Sequence, residues 1–376
     1  MSSGPVETPE SVEARTRLDA EIMRRALQLA EEGWGNVAPN PLVGALVVRD
    51  GEVVGQGHHA EFGGDHAEVE ALAMAGEQAL GATLYVTLEP CAHVGKTPPC
   101  TRAILQRGVR RVVIGTADPN PESGGGAEEL VAAGVEVVVG VEEEAARDLN
   151  APFLWRHQSD TPYTALKLAL SLDARLTAEG GKRTAVTGAL AAREVHRLRA
   201  GYDAVLVGRR TATVDNPQLT VRNRRTPRRP PIRVILDPGL QLDSESELAR
   251  TAGMPPTWVV AAPGHDVDRR MILEAAGVRV LEMPARENGR LDLPRTWRGL
   301  AAQGVNSILV EGGGFLARSL IEDELIQRMY VFYAPVLFGA RGGEAFEGLA
   351  PEESTAWRVV RRRAFGPDTM IELERN

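Results

Sequence analysis

His66-Ala67-Glu68, followed further along by Pro90-Cys91 and Cys100, is the stretch that decides the fold of the first part of this 376-residue chain. It contains both cysteines of the sequence. One imidazole and two thiolates supply three ligands of a tetrahedral zinc ion and leave one position for water. Glu68 would lie beside the metal as a carboxylate that moves protons. The pattern predicts a hydrolytic zinc site with ligands His66, Cys91 and Cys100 and the catalytic residue Glu68.

The elements predicted before the first cysteine place these residues at element ends. Residues 41–50 and 52–58 are typical of two strands joined at Asp50-Gly51, a dipeptide that favours a tight hairpin. Residues 67–80 have helical spacing, which puts His66 at the start of a helix. His66 and Glu68 are two residues apart, and side chains at this spacing do not lie on the same face of a helix. His66 and Glu68 are therefore expected to converge only if His66 is not yet helical.

The cysteines follow a strand predicted over residues 83–88, which ends just before Cys91. Thr97-Pro98-Pro99 predicts a helix N-terminus with proline in the first turn, and the helix should run to Gln106. Both cysteines would then lie near helix N-termini, where the thiolate form is favoured. This context supports metal binding at the two thiols.

The two thiols could instead form a disulfide or belong to a purely structural zinc site. A disulfide is disfavoured because two cysteines are few for a disulfide-stabilised secreted protein, and residues 1–16 lack the apolar core of a signal peptide. A structural zinc site normally has four protein ligands, and His93 is the nearby candidate for the fourth. The sequence leaves the structural-zinc alternative open.

The length of the chain favours two domains. The predicted division is a disordered tail over residues 1–16, a zinc domain over 17–150, a linker over 151–162 with a polar stretch over 157–162, and a second domain over 163–376. In the second domain, strands are expected over residues 163–171, 204–207, 232–236, 258–261, 278–281 and 307–310, with helices over 193–199, 269–276 and 315–325. A β-rich end follows over residues 330–337, 357–362 and 369–373. Such alternation indicates an α/β domain with a mainly parallel sheet.

Glu311-Gly312-Gly313-Gly314 lies directly after a predicted strand and before a predicted helix. Glycines in this turn allow backbone amides to approach a phosphate at the helix N-terminus. A flexible turn between strand and helix is the alternative, and the motif alone does not decide between them.

The charge balance argues against a nucleic-acid surface of ordinary size, since the formal net charge is −8 and the pI is near 5.6. Aromatic residues make up 5% of the chain, which leaves few platforms for stacking bases. No apolar run is long enough to span a membrane. The default interpretation of one basic run is a mobile surface loop, and its members are Arg222, Arg224, Arg225, Arg228, Arg229 and Arg233. A small anionic metabolite is the partner that these features favour.

The first 150 residues resemble the riboflavin-pathway branch of the zinc-dependent cytidine deaminase superfamily. The motifs that carry the resemblance are His66-Ala67-Glu68, Glu89-Pro90-Cys91 with Thr97-Pro98-Pro99-Cys100, Pro39-Asn40-Pro41-Leu42-Val43-Gly44, Gly57-His58-His59 and Asp118-Pro119-Asn120-Pro121. The resemblance implies a cytidine-deaminase-like α/β/α domain. It also implies that Asn40 and His59 contact the substrate.

Three motifs of the second domain resemble the dihydrofolate-reductase-like half of the same bifunctional deaminase–reductase family. They are Lys167-x-Ala169-x-Ser171-Leu172-Asp173, Asp215-Asn216-Pro217-x-Leu219-Thr220-x-Arg222 and the Glu311 loop. The resemblance implies NADPH as cofactor, bound by Ala169, Ala185, Thr211, Asp215, Gly313, Gly314, Phe315, Leu316, Ala317, Arg318 and Ser319. It implies substrate contacts from Arg183, Arg199, Leu219, Arg222 and Glu311. Without the resemblance, Arg199 on a helix would be interpreted as a solvated surface charge.

The resemblance implies two consecutive reactions on pyrimidine ribotide phosphates in a cytoplasmic homo-oligomer. Zinc-dependent hydrolysis would deaminate 2,5-diamino-6-(5-phosphoribosylamino)pyrimidin-4-one, and NADPH would then reduce the ribosyl group of 5-amino-6-(5-phosphoribosylamino)uracil to ribityl. The rival hypothesis is a tRNA or nucleobase deaminase with a C-terminal RNA-binding domain, and the basic run that starts at Arg222 is its only support. A non-catalytic structural zinc protein is the second rival.

Overall fold

The chain folds into two compact units, residues Met1–Gln158 and Ser159–Asn376. The structure, a computed structural model, describes residues 9–93, 98–180, 182, 184–222, 227–346, 348–349 and 357–375. Each unit contains its own β-sheet with helices packed against it. The sequence-based prediction of an α/β fold in both halves is confirmed.

The first unit has a five-stranded sheet with the order β2-β1-β3-β4-β5. β1 is antiparallel to β2 and β3, while β3, β4 and β5 are parallel. The strands are β1 (Gly44–Arg49), β2 (Glu52–His58), β3 (Thr83–Leu88), β4 (Arg111–Thr116) and β5 (Glu136–Val139). The helices are α1 (Pro9–Ala30), α2 (Ala67–Ala75), α3 (Cys100–Gln106), α4 (Gly126–Ala132), α5 (Glu143–Leu149) and α6 (Ala151–Trp155).

Both faces of this sheet are covered by helices, which makes the unit an α/β/α sandwich. Along β1, Ala45 and Val47 join the apolar cluster that contains residues of α2, whereas Leu46 and Val48 join the cluster that contains residues of α1. Alternate side chains of a strand point to opposite faces, so a strand buried on both faces is apolar throughout. The burial of consecutive residues in β1 follows from this arrangement.

Two element starts in the first unit differ from prediction. Helix α1 begins at Pro9, so residues 9–16 of the predicted disordered tail are helical, and residues 1–8 lie outside the described part of the chain. Helix α3 begins at Cys100, with Pro99 as its N-cap. Pro98 is therefore not in the first turn, and Thr97, the predicted cap, lies outside the described residues.

The hairpin prediction at the start of the sheet is confirmed. Strands β1 and β2 are joined at Asp50 and Gly51, whose φ values are +53° and +83°. Positive φ at both central positions is the requirement of the turn that matches the twist of a β-hairpin. The turn fixes the register of the two strands. Both strands pack against α2, the helix that His66 precedes.

The second unit is built on a nine-stranded sheet with the order β11-β10-β9-β8-β12-β6-β13-β16-β15. Its long strands are β6 (Tyr163–Leu170), β8 (Ala204–Gly208), β9 (Ile232–Leu236), β10 (Thr257–Ala261), β11 (Arg279–Glu282), β12 (Ser307–Val310), β13 (Arg328–Tyr333), β15 (Trp357–Phe365) and β16 (Asp368–Arg375). β7 (Arg175–Thr177) and β14 (Gly343–Glu344) form a separate two-stranded ribbon. The helices are α7 (Ala189–Ala200), α8 (Arg209–Asp215), α9 (Glu247–Arg250), α10 (Val267–Ala275), α11 (Leu293–Ala302) and α12 (Gly314–Glu322).

In the sheet order, all neighbouring strands from β11 to β13 are parallel. β16 is antiparallel to β13, and β15 is antiparallel to β16. In β8, Ala204 and Leu206 face one apolar cluster, and Val205 and Val207 face another. The predicted mainly parallel sheet is confirmed. The carboxyl ends of parallel strands meet at one edge of a sheet, which is where ligands bind in open α/β folds.

One residue of the predicted basic loop is not on the surface. Arg233 lies in β9 with its side chain fully buried. Its guanidinium donates to the Thr251 hydroxyl at 2.7 Å and to the Thr251 and Pro255 carbonyls at 2.6 and 2.8 Å. A buried guanidinium needs such acceptors, so Arg233 supports the packing of the sheet. Residues 223–226 of the run lie outside the described part of the chain.

None of the described helices combines the length and the apolar character that crossing a bilayer requires.

Candidate active sites

The three predicted zinc ligands lie together at one edge of the first sheet. His66 is the extended residue that precedes α2, with ψ of 153°, Cys91 follows β3, and Cys100 is the first residue of α3. His66 Nδ1 lies 3.1 Å from Cys100 Sγ and 3.6 Å from Cys91 Sγ. Their ligand atoms all lie within 4.8 Å of one another. The non-helical start of α2 is what allows His66 to turn towards the thiols.

This donor set fits a zinc ion. Zinc–sulfur and zinc–nitrogen bonds of about 2.3 and 2.0 Å in a tetrahedron place donor atoms roughly 3.5 to 3.8 Å apart. The distance from His66 Nδ1 to Cys91 Sγ lies in this range, and the distance to Cys100 Sγ, 3.1 Å, is shorter. The Cys100 backbone N–H also points at Cys91 Sγ, at 3.4 Å. The hydrogen bond between the two thiols lowers the pKa of Cys91 and raises that of Cys100. Nδ1 of His66 is the nitrogen that would bind the metal.

Glu68 lies in the first turn of α2, two residues after His66, and only 3% of its surface is exposed. Burial raises the pKa of its carboxyl group. It lines the same pocket as His66 and Cys91 but is not part of the ligand cluster. A carboxyl group in this position can accept a proton from water and return it to a leaving group.

His93 is not part of the ligand cluster in the described part of the chain, although it lines the pocket. Three ligands and a pocket are the arrangement of a catalytic zinc site, whereas a structural site has four protein ligands. This observation argues against the structural-zinc alternative.

The pocket beside the cluster has a volume of about 300 Å³. His59 and Asn40 form part of its wall, and Asn40 Nδ2 lies 3.0 Å from His59 Nε2. Nδ1 of His59 lies 2.9 Å from the Asp65 carbonyl oxygen, which makes Nδ1 the protonated nitrogen. Burial lowers the pKa of this imidazole, so the ring stays neutral and its Nε2 can accept from Asn40. The two residues predicted to contact substrate thus hold each other in place.

Glu89, another residue of the pocket wall, is held by backbone amides. One carboxylate oxygen accepts from the Gly125 and Ala127 N–H groups at 3.1 and 2.9 Å. The other accepts from the Asp118 N–H at 3.1 Å. Because Glu89 is two residues before Cys91, this carboxylate ties a metal-binding segment to the loop that precedes α4.

A larger cavity of about 1,090 Å³ lies in the second unit. The predicted cofactor residues on its wall are Ala169, Ala185, Thr211, Asp215, Gly313, Gly314, Phe315, Leu316 and Ser319, and the predicted substrate residues are Arg199, Leu219 and Glu311. Three others are not among its described lining residues: Ala317 is buried in the core, Arg318 pairs with Glu322 on the same helix, and Arg222 is exposed beside Gln218. Arg183 lies outside the described residues.

The start of α12 shows why glycines occupy this turn. A Cβ atom on Gly314 would lie 2.2 Å from the Glu344 carbonyl oxygen, a distance that no real contact tolerates. Gly313, in an extended conformation, is the N-cap of α12. Because it has no side chain, it does not cover the backbone amides at the start of the helix. An open helix N-terminus with a closely packed backbone is suited to a phosphate group, and the cavity is large enough for a dinucleotide. These residues fit NADPH.

Glu311 and Arg199 form a two-point ion pair inside this cavity. Arg199 Nε donates to one carboxylate oxygen at 2.5 Å and Nη2 to the other at 3.0 Å. Lys167 Nζ lies 4.0 Å from Glu311. Burial would raise the pKa of Glu311, but the charge and hydrogen bonds of Arg199 outweigh it and hold the pKa at about 2. Arg199 is therefore not the solvated surface charge that its helix alone would suggest.

Several residues that line the two sites are not assigned a role by the sequence. Lys167 lies in the middle of β6, where burial lowers its pKa. A lysine inside an apolar strand is a signal that could have singled it out. Phe153 and Arg156, from the end of the first unit, line the smaller pocket. No spacing in the sequence indicates their position.

The sites and folds together define a zinc-dependent deaminase unit of the cytidine deaminase class and a separate reductase unit in one chain. The family described as "Cytidine and deoxycytidylate deaminase zinc-binding region" matches residues 16–116, and the family described as "RibD C-terminal domain" matches residues 162–371. The chain belongs to the RibD family, the bifunctional deaminase–reductases of riboflavin biosynthesis. Its deaminase unit binds zinc, and its reductase unit uses NADPH.

Relatives match over almost the whole chain. The riboflavin biosynthesis protein RibD of Bacillus amyloliquefaciens is 39% identical over 93% of this chain and 94% of its own length. The RibD protein of Escherichia coli is 39% identical over 94% of this chain and 99% of its own length. The solved structure of Acinetobacter baumannii RibD is 33% identical with a TM-score of 0.81, covering 96% of this chain and 99% of that chain. A Thermotoga maritima deaminase/reductase structure is 34% identical, also with a TM-score of 0.81, covering 96% and 100%.

Proposed function

We propose that the first unit deaminates 2,5-diamino-6-(5-phosphoribosylamino)pyrimidin-4-one. The observation that carries this proposal is the buried carboxyl group of Glu68 beside three zinc ligands in one pocket. Zinc held by His66, Cys91 and Cys100 would supply a water molecule activated near neutral pH. Glu68 would take a proton from that water and deliver it to the exocyclic amino nitrogen. The water oxygen bonds to the amine-bearing ring carbon, the exocyclic carbon–nitrogen bond breaks, and the nitrogen leaves as ammonia. Asn40 and His59, locked together at the wall, orient the pyrimidine.

The second unit then reduces the ribosyl group of 5-amino-6-(5-phosphoribosylamino)uracil to ribityl. NADPH supplies the reducing equivalents when bound in the larger cavity. Gly313 and Gly314 leave the amides of α12 open for a cofactor phosphate, and Thr211 and Asp215 of α8 line the adjoining wall. Arg199 and Glu311, fixed by their ion pair, present a rigid polar surface to the sugar.

We assign the deaminase to residues 17–150, the linker to 151–162 and the reductase to 163–376; the two compact units, Met1–Gln158 and Ser159–Asn376, support an enzyme with two sites. The linker begins with α6, from which Phe153 lines the deaminase pocket. We place the enzyme in the cytoplasm as a homo-oligomer. A metal site made of two thiolates suits a reducing compartment, and the resemblance to the family is the support for the oligomer.

The RNA-binding alternative has lost part of its support, since Arg233 is buried in β9. A two-part assay tests the proposal: ammonia release and NADPH oxidation are followed separately with the pyrimidine ribotides as substrates. Chelation of zinc should abolish ammonia release and leave the oxidation of NADPH by the aminouracil ribotide unchanged. Loss of both activities on chelation, or tight RNA binding at physiological salt without NADPH oxidation, would refute it.

A further inference from the structure

We propose that Arg156 binds the 5-phosphate of the ribotide in the deaminase pocket and so selects phosphorylated substrate. The inference rests on the proposed deamination of a pyrimidine ribotide. Arg156 caps the C-terminal end of α6 and lines the same pocket as His66 and Glu68. The zinc chemistry of the pocket does not require this side chain.

The charge of the pocket wall singles out this residue. Among the described residues that line the pocket, Arg156 is the only arginine or lysine. The wall also carries the carboxyl groups of Glu68, Glu89 and Asp118. A phosphate that carries nearly two negative charges needs a cation in such a place, and an arginine meets this need through two parallel hydrogen bonds.

The acidic wall does not close the pocket to a phosphate, because two of its carboxylates are already engaged. Both oxygens of Glu89 accept backbone N–H groups. Asp118 accepts from the Asn120 N–H at 3.0 Å and from the Ser123 hydroxyl at 2.6 Å. Donors that face these carboxylates offset much of their charge. Glu68 lies at the metal end, beside His66.

The guanidinium of Arg156 is held in position by two contacts. Its Nη1 donates to the Pro39 carbonyl oxygen at 2.9 Å, and its Cζ lies 5.4 Å from the centre of the Phe153 ring. Guanidinium groups have five donors, and the Pro39 contact uses one. The described residues show no other acceptor for this guanidinium, so its remaining donors can face a phosphate, and the side chain loses little freedom when the phosphate binds.

A chain of neighbouring contacts runs from Arg156 to the metal end of the pocket. Pro39 is followed directly by Asn40, whose amide contacts His59. The His59 ring lies 5.6 Å from the ring of His66. The pyrimidine would lie at His59 and His66, where the reaction occurs, and the phosphoribosyl arm would extend along Asn40 towards Arg156.

The test compares the ribotide with the corresponding riboside, which lacks the phosphate, in the full-length zinc enzyme without NADPH. For R156M, we expect KM for ribotide deamination to rise roughly 10- to 100-fold, the effect of losing a hydrogen bond between charged groups. At saturating ribotide, kcat should change little. KM for the riboside should stay within about twofold, because the riboside has no phosphate to lose. If riboside turnover is too slow to follow, its inhibition constant against the ribotide gives the same comparison.

Two further variants separate phosphate binding from a structural role. R156K keeps the charge and should recover most of the ribotide affinity. R147M removes an exposed arginine from α5 and should leave both substrates unaffected. An equal loss for ribotide and riboside in R156M would overturn the proposal, since it would mean that Arg156 only positions Pro39. An unchanged ribotide KM would overturn it too. Failure of the proposed function is distinct, because the wild-type enzyme would then release no ammonia from the ribotide.

Discussion

Arg199 of α7 and Glu311, at the end of β12, are joined by two hydrogen bonds in the cavity of the reductase unit, and each side chain is only 11% exposed. Both residues were expected to contact substrate, and the structure shows that they contact each other. A substrate that binds here therefore meets a preformed pair. The pair also connects a helix to the strand that leads into the glycine turn of α12.

Replacing Glu311 by glutamine should destabilise the reductase unit by about 3 to 5 kcal/mol, because Arg199 and Lys167 would keep their charges in a buried place without a counter-charge. Urea unfolding of E311Q measures the change. E344Q is the matched control, since the pair of Glu344 with Arg175 is more exposed and contributes about 0 to 1 kcal/mol. Equal losses in the two variants would contradict the prediction.

The contribution of Glu311 should depend on pH in one direction. Its folded pKa of about 2 lies below its ordinary value of 4.5. A lowered carboxyl pKa stabilises the folded state above the unfolded value, and the benefit disappears as pH falls towards the folded value. The difference in unfolding free energy between wild type and E311Q should thus be constant above about pH 5 and shrink between pH 4.5 and 2. A difference that shrinks as pH rises towards neutrality would disprove this.

Replacing Glu68 by glutamine should slow ammonia release by about 10²- to 10⁴-fold, the usual contribution of a proton-transferring group. The zinc content should stay at that of wild type, because Glu68 is not in the ligand cluster. Metal analysis and an ammonia assay on the same sample measure both. E70Q is the control. Glu70 lies in the same helix and accepts the His58 N–H, and its replacement should leave turnover in place. Loss of zinc from E68Q would show that the carboxylate is a ligand.

Replacing Gly314 by alanine should weaken NADPH binding and destabilise the reductase unit by about 1 to 3 kcal/mol, since the added methyl group forces α12 away from β14. Fluorescence titration with NADPH and urea unfolding check the two effects. Gly180 lines the same cavity with no atom within 4 Å of an added Cβ. If G180A weakened cofactor binding as strongly as G314A, the close approach to Glu344 would not be the cause.

The metal site could be predicted from sequence because its chemistry is local. His66 and Glu68 are near neighbours in the chain, and the strand before Cys91 and the helix at Cys100 have clear patterns. The hairpin at Asp50-Gly51 was predictable for the same reason, since two residues determine the turn.

Contacts between distant residues could not be predicted in this way. The pairing of Arg199 with Glu311 spans 112 positions, and that of Arg156 with Pro39 spans 117. No periodic pattern encodes such contacts. The buried position of Arg233 was missed because arginine-rich composition suggested a surface loop, whereas the acceptors at Thr251 and Pro255 become visible only in the fold.

The hydrogen bonds of Glu89 limit which substitutions this enzyme can tolerate. Within the part of the chain that the structure describes, its carboxylate contacts neither the ligand cluster nor a charged side chain. It accepts three backbone N–H groups and keeps the Cys91 segment against the loop before α4. Glutamine has nearly the same shape, but it places an amide nitrogen where an acceptor is needed. Exchanging one functional group on a residue that transfers no proton can therefore abolish deaminase activity. The number of positions intolerant of substitution is larger than the number of positions that perform chemistry.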